Sequence, residues 1–378
     1  MDGKRDSLDS QPQIRHTKKQ KVTDFGKAGG DTVKNKFFTG EFVPYGPNIA
    51  GCEKGMGIYM KLVVLERNSA GTDIDVSCFE KFGEVTYYPN STADNAAERI
   101  GDAEIVISNK TPLNESNLKD ASKLRLICLL ATGYDNVDLA YCKSRGIKVA
   151  NVVNYCTPAV AQHTLLLAMM LSEKIAYYDD YVKSGAYSAQ DRFSHFDRVF
   201  HDLEGKTWGI VGMGSIGHKV AELASAFGCK IIFYSASGKS TCTDYERVEL
   251  DTLLKESDIL SLHCPLSDRT RHLINKDAFD KMKKTAILIN VARGPVVDTR
   301  ALYEALEEEK IAAAGLDVLE KEPMETSNPL SQIKDGTKLI ITPHMSWASV
   351  ESRTRLVEEI VKNIEAFLDG KDRNVVNK

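Results

Sequence analysis

Three segments each carry one side chain able to do chemistry: "NVARGPVVD" with Arg293, "GLDVLEKEP" with Glu322 and "ITPHMSWAS" with His344. An imidazole titrates near neutral pH and can give or take a proton in either direction of a reaction. A guanidinium is a planar fork that can grip a carboxylate and polarise a neighbouring carbonyl. A carboxylate on the other ring nitrogen of a histidine favours the imidazolium and fixes its orientation. Taken singly, each has a plainer reading. An Arg beside Gly-Pro suits a surface loop, Glu322 sits among charges, and a His after Pro suits a packed loop. Each nevertheless follows a short apolar run, and the C-terminal ends of strands in an open α/β sheet are where ligands bind.

A fourth segment, "TWGIVGMGSIGHKVAELASAFG", sets Gly212, Gly214 and Gly217 between a strand-like run and a helical one that stops at Gly228. In such a unit the first glycine makes the tight turn, the second lets the backbone approach a pyrophosphate at the helix N-terminus, and the third lets helix pack on strand. The turn Gly212-Met213-Gly214-Ser215-Ile216-Gly217 is therefore a candidate dinucleotide site, in the strand–turn–helix–strand context the motif requires. About 18 residues beyond Gly217, where a ribose-binding acid belongs, stands Ser235 in "IIFYSASGKS". A missing acid removes the repulsion that excludes a 2′-phosphate, and Ser235, Ser237 and Lys239 offer donors and one positive charge. No Arg lies in this loop. The alternative is an ordinary solvated loop, with NAD held without a carboxylate. Both nucleotides, NAD(H) and NADP(H), stay open.

The elements that must position these residues are short apolar runs alternating with amphipathic stretches. They begin with "LVVL" (62–65), "EVTYY" (84–88), "AEIVIS" (103–108), "LRLICLL" (124–130) and "IKVANV" (147–152), with helical segments expected over 113–123 and 137–145. A Leu/Met-rich helical stretch (158–175) follows, and then a second series: "TWGIVG", "KIIFYS", "ILSLHC", "AILINV", "AAGLDV" and "KLIITPH". Alternation of this kind predicts mostly parallel α/β sheets. The segment "SVESRTRLVEEIVKNIEAFLDG" predicts one last helix with a glycine stop. Residues 1–59 differ: they hold nine of the 26 glycines and no sustained period. They are read as disordered or loosely coiled, either a dispensable extension before a natural start at Met60 or a flexible tail.

Composition sets outer limits. At 378 residues, with net charge −4 and a pI near 6.1, the chain has no electrostatic footprint for nucleic acid or an anionic membrane. Its longest apolar run, "TLLLAMML" (164–171), is far short of a bilayer span, and no secretory leader is read at the N-terminus. Eight cysteines without CxxC pairs or histidines at metal spacing read as reduced cytoplasmic thiols with no metal site.

The glycine turn, Arg293, Glu322 and His344, in that order, resemble the D-isomer-specific 2-hydroxyacid dehydrogenase family from Met60 to the C-terminus. The resemblance implies two Rossmann-like domains with parallel sheets, a nucleotide domain (158–343) being inserted into a split substrate domain (60–157 and 344–378). It makes Arg293, Glu322 and His344 catalytic, with Glu322 preferred to Glu320 for its spacing from Asp317. Asp317 falls on the nicotinamide contact, with Val291 and Ala292 beside the ring. His263, Cys264 and Pro265 of "HCPL" fall along the cofactor, and Thr132 and Gly133 of "ATGYDNVD" fall on the loop that grips the substrate carboxylate. "SNKTPL", "VAQHT" and "HMSWAS" resemble the glycerate dehydrogenase and hydroxypyruvate reductase branch, with Asn109, Lys110 and Trp347 shaping the pocket.

The implied reaction is hydride transfer to a small 2-oxo acid such as hydroxypyruvate or glyoxylate, with His344 as acid and base. A short phosphoglycerate or D-lactate dehydrogenase, or a nucleotide-sensing binding protein of the same fold, are the alternatives. A homodimer is expected, the Leu/Met-rich helix being read as either part of its surface or core.

Overall fold

In the computed structural model, which describes residues 59–378, two parallel sheets follow one another along the chain. The first holds β1 (Met60–Val64), β2 (Gly83–Tyr87), β3 (Ile105–Ser108), β4 (Leu126–Leu129) and β5 (Lys148–Ala150) in the order β2-β1-β3-β4-β5. The second holds β6 (Thr207–Val211), β7 (Lys230–Tyr234), β8 (Glu246–Arg247), β9 (Ile259–Leu262), β10 (Ile287–Asn290), β11 (Ala313–Leu316) and β12 (Leu339–Ile341). Its order is β12-β11-β10-β9-β6-β7-β8. Both orders reverse direction once, between β1 and β3 in the first sheet and between β6 and β9 in the second. Such reversals open a crevice beyond the strand ends. The reading of residues 1–59 lies outside the described residues, Tyr59 apart.

Strands β3, β4, β9, β10 and β11 are buried at every position. This is why they read as mostly apolar runs, broken only by a small polar residue such as Ser108, Ser261 or Asn290: helices cover both faces. In the first sheet the two faces separate by alternation. Leu62 and Val64 pack with Ile105, Ile107, Leu126 and Cys128 on one side, while Val63 packs with Val106, Ile127 and Val149 on the other. The last helix, Val350–Leu368, closes the first of these faces with Leu356, Val357, Ile360 and Ile364. Each such aliphatic side chain contributes about 1.5–3 kcal/mol of transfer free energy. The chain thus leaves the first sheet at residue 150, builds the second, and returns to cover the first.

The helix Thr157–Ser172 is a core element of the second sheet. Its Val160, Ala161, Leu165, Leu167, Ala168 and Leu171 are buried with Trp208, Ile210, Val220 and Ile289. The helix read over 113–123 is shorter, Glu115–Leu118, capped by Asn114 and ending where the chain turns at Ala121 back onto the Leu118 carbonyl. Among the elements the sequence reading did not name are the two-residue β8 and the helix Ile175–Lys183, which buries no residue. No helix among the described residues is long and apolar enough to cross a membrane.

Candidate active site

The glycine turn sits at the reversal of the second sheet. Gly212 has φ 94°, in the left-handed region, and a Cβ there would lie 2.9 Å from the Cys264 nitrogen. At Gly217 a Cβ would fall 2.2 Å from the Gly212 carbonyl oxygen, so the helix Ser215–Ala226 can seat against the strand only with glycine. At Gly214, by contrast, the space is open. The result is an uncovered helix N-terminus at the end of β6 with the His263–Cys264 backbone against it, a cradle that fits a dinucleotide pyrophosphate.

Met213, Ser215 and Ile216 continue this turn, Ser235 follows β7 and is buried, and Pro265 follows β9. The His263 ring is turned inward, its Nε2 3.0 Å from Ser261 Oγ, which also accepts from the Trp208 indole at 2.9 Å. Burial pushes the His263 pKa down to about 3, so it stays neutral. Its contribution at this edge is therefore backbone.

Arg293, Glu322 and His344 come together on one cleft of about 1180 Å³, which Lys110, Thr132, Gly133, Val291, Asp317 and Trp347 also line. Each of the three is placed by its own local device. Asn290, buried at the end of β10, accepts from the Ala292 N–H and donates to the Arg293 carbonyl, both at 3.1 Å, which turns the chain and presents Arg293. A Cβ on the next residue, Gly294, would overlap the Leu319 carbonyl at 1.9 Å. That close approach brings the loop after β10 against the loop after β11, and so Arg293 toward Glu322. The Arg293 guanidinium reaches the loop of the first sheet, its Nη2 lying 2.7 Å from where a Cβ of Gly133 would stand.

His344 occupies φ 54°, which few non-glycine residues adopt, and the surrounding bonds hold it there. Asp317 does most of this. Its carboxylate accepts from Thr342 Oγ1 at 2.6 Å, the Met345 N–H at 2.8 Å and the Ser346 N–H at 2.9 Å. The Asp317 side chain, expected beside the nicotinamide, is thus enclosed and grips the turn that carries His344. His163, from the "VAQHT" segment, completes the network, its Nε2 3.0 Å from Thr342 Oγ1 and 3.8 Å from Asp317 Oδ1.

The His344 Nδ1 meets Glu322 Oε2 at 2.7 Å, and the other Glu322 oxygen accepts the Leu319 N–H at 2.9 Å. Burial raises the Glu322 carboxyl, but the bonds from His344 and Leu319 and the His344 and Lys110 charges outweigh it, leaving its pKa below the ordinary value. Glu320, the competing carboxylate, pairs with His272 at 2.6 Å instead. With Nδ1 taken, Nε2 is the ring nitrogen left to exchange a proton with a molecule in the cleft.

The geometry adds residues that the sequence reading had not named. Tyr155 lines the cleft, its ring edge-on to Trp347 at 6.3 Å between centroids, and Asp135, Asn136 and Met324 line it too. Asp135 and Asn136 fall within the "ATGYDNVD" segment, whereas Tyr155 and Met324 carry no sequence signature. The adenosine end gains Arg247, which reaches over from β8 and donates from Nη1 to the Gly238 carbonyl at 3.2 Å. The loop that lacks an Arg in sequence thereby has one in space. The fold also brings ligand atoms of His218, Cys242 and Asp244 within 4.8 Å of one another, although the sequence spacing suggests no metal site.

Known proteins resemble this chain over most of its length. Residues 165–346 match the family described as D-isomer specific 2-hydroxyacid dehydrogenase, NAD binding domain. The chain is 39% identical over 326 residues to a hydroxypyruvate reductase of Blautia hydrogenotrophica, covering 84% of this chain and all of that one. A D-lactate dehydrogenase of Aquifex aeolicus, solved with NAD and lactic acid, is similar at 31% identity and TM-score 0.69, over 82% of this chain and 96% of that one. An acyclic imino acid reductase solved with NADPH and D-Arg is similar at 29% identity and TM-score 0.75, over 84% of this chain and all of that one.

Proposed function

The chain belongs to the D-isomer-specific 2-hydroxyacid dehydrogenase family, and on that premise we propose that it reduces hydroxypyruvate or glyoxylate with His344 as the proton donor. It is an oxidoreductase of the CH–OH group that works on small 2-oxo acids with NAD(H) or NADP(H). The bound nicotinamide supplies the hydride. Arg293 binds the substrate carboxylate, helped by the backbone N–H groups at Thr132 and Gly133, and polarises the carbonyl. His344 delivers a proton from Nε2 to the carbonyl oxygen and takes it back in the reverse direction. Glu322 holds the imidazolium and its orientation, and Asp317 holds the strained turn. Lys110, Asn109 and Trp347 give the pocket a small, polar lining that suits a hydroxymethyl or hydrogen substituent.

The observation that carries this reading is the 2.7 Å His344–Glu322 pair on the same cleft as Arg293. A matrix of NADH and NADPH against hydroxypyruvate, glyoxylate, pyruvate and phosphohydroxypyruvate tests it. Turnover highest with the first two is expected, whereas tight nucleotide binding without turnover on any acid would overturn it.

The working unit in this reading is a homodimer in the cytoplasm. An apolar surface supports the dimer: Phe193 is 93% exposed, with Phe196, Val199 and Phe200 beside it in sequence. Light scattering on the purified protein should give twice the chain mass. Buried thiols at Cys128, Cys142 and Cys264 suit a reducing compartment. Cell fractionation tests that part.

A further inference from the structure

At the reversal of the first sheet, between the ends of β1 and β3, an internal carboxylate stands where open α/β sheets receive ligands. Glu66, just past β1, is 4% exposed. Its Oε2 accepts the Asn109 N–H at 3.0 Å and its Oε1 the Lys110 N–H at 3.0 Å. The same Oε1 takes the Thr111 N–H and the Thr111 hydroxyl. Three successive backbone donors converging on one point form an anion-binding concavity, and here the chain supplies the anion itself.

We propose that Glu66 is a positioning residue for the substrate pocket: by drawing the N–H groups of residues 109–111 inward, it turns the Asn109 and Lys110 side chains into the cleft. Both side chains line that cleft. Lys110, from the first sheet, lines the same cleft as Glu322 and His344. Thr111 extends the effect, since its carbonyl accepts from Asn136 at 2.9 Å and ties this loop to the one carrying Thr132 and Gly133. Without its partner, the concavity would leave three backbone donors unpaired, two of them buried, and the loop would turn them toward water or toward the substrate carboxylate itself.

The inference rests on the cleft being the 2-oxo acid site, and the test separates the two. Wild-type enzyme without turnover on any 2-oxo acid removes both. With turnover established, Glu66→Gln is expected to raise the KM for hydroxypyruvate about tenfold while the NADH and NADPH KM values hold. Lys110→Ala is expected to raise the same KM, and the double variant to be no worse than the poorer single, because Glu66 acts through the loop that carries Lys110. An unchanged KM in Glu66→Gln, a nucleotide KM that rises with it, or multiplied effects in the double variant would each overturn the proposal. Should Glu66→Gln fail to fold, Thr111→Val removes a single bond to Glu66 and should show the same split at about threefold; no split there also overturns it.

Discussion

The two sheets solve the same geometrical problem in opposite ways. Each reverses its strand order once, and each therefore has a crevice at its strand ends. In the second sheet glycines keep that crevice empty: nothing stands over Gly214, and the turn is tight enough that Gly212 and Gly217 admit no side chain. In the first sheet the crevice is filled by Glu66. An open crevice is a binding site for a large ligand with its own phosphates. A filled one is rigid scaffold, and what it presents is the loop folded around the filling. In the proposed enzyme the second sheet supplies nucleotide binding, the proton donor and Arg293, while the first adds the Thr132–Gly133 loop and the Asn109–Lys110 wall that complete the grip on a small acid. Changes at the glycine turn or at His344 should therefore strike nucleotide affinity or kcat, and changes at the first sheet should strike the acid's KM.

The largest effect follows from removing the proton donor. His344→Gln keeps the size of the side chain, and is expected to lower kcat on the order of 10²-fold or more while nucleotide binding persists. Stopped-flow or steady-state turnover together with nucleotide titration checks both halves, and near-normal turnover would remove His344 from its role. Filling the open crevice comes next. Gly217→Ala would place a methyl 2.2 Å from the Gly212 oxygen. The resulting backbone shift costs about 1–3 kcal/mol, roughly a 5- to 150-fold weaker nucleotide Kd if it falls on the cradle. Calorimetric titration with NADH and NADPH measures it, and an unchanged Kd would mean the turn is only structural.

A smaller effect concerns acid stability. Glu322 has a folded pKa below its ordinary value of 4.5. Its pairing thus stabilises the fold fully above pH 4.5, and that contribution disappears as pH falls through the lowered folded value. The side chain is 34% exposed, so solvent screens the pair. Glu322→Gln should flatten the acid limb of a Tm-against-pH curve by about 1–3 °C relative to wild type. Parallel curves below pH 4.5 would show that the His344–Glu322 bond adds no stability.

How far the sequence alone reaches differs between the same two regions. Strands such as β3 and β10 are legible because burial on both faces leaves mostly apolar runs, and the last helix because its core face repeats at helical spacing. The glycine turn is legible because the backbone it needs excludes other residues. Arg293, Glu322 and His344 are legible through spacing and family resemblance, and the pairing of Glu320 with His272 agrees with the preference for Glu322. Glu66 was not legible at all. Its partners are backbone N–H groups more than 40 positions away, which any residue type supplies. Arg247 was missed for a related reason: β8 is two polar residues long and gives no strand pattern, so nothing announced that it lies beside β7.

That missed neighbour carries the finest distinction, between the two nucleotides. Where a ribose-binding acid would stand, Ser235 follows β7, Lys239 lies in the loop after it, and Arg247 reaches back onto that loop from β8. Introducing the acid, Ser235→Asp, sets a negative charge against a 2′-phosphate and should raise the NADPH KM about tenfold while sparing NADH. Arg247→Ala should do less. The side chain is exposed and already donates to the Gly238 carbonyl, so a phosphate gains from it only a screened charge. A rise of about threefold in the NADPH KM, with the NADH KM unmoved, is the expected result. If both nucleotides lose affinity equally, Arg247 serves the loop and not the phosphate, and the second crevice discriminates between nucleotides through Ser235 alone.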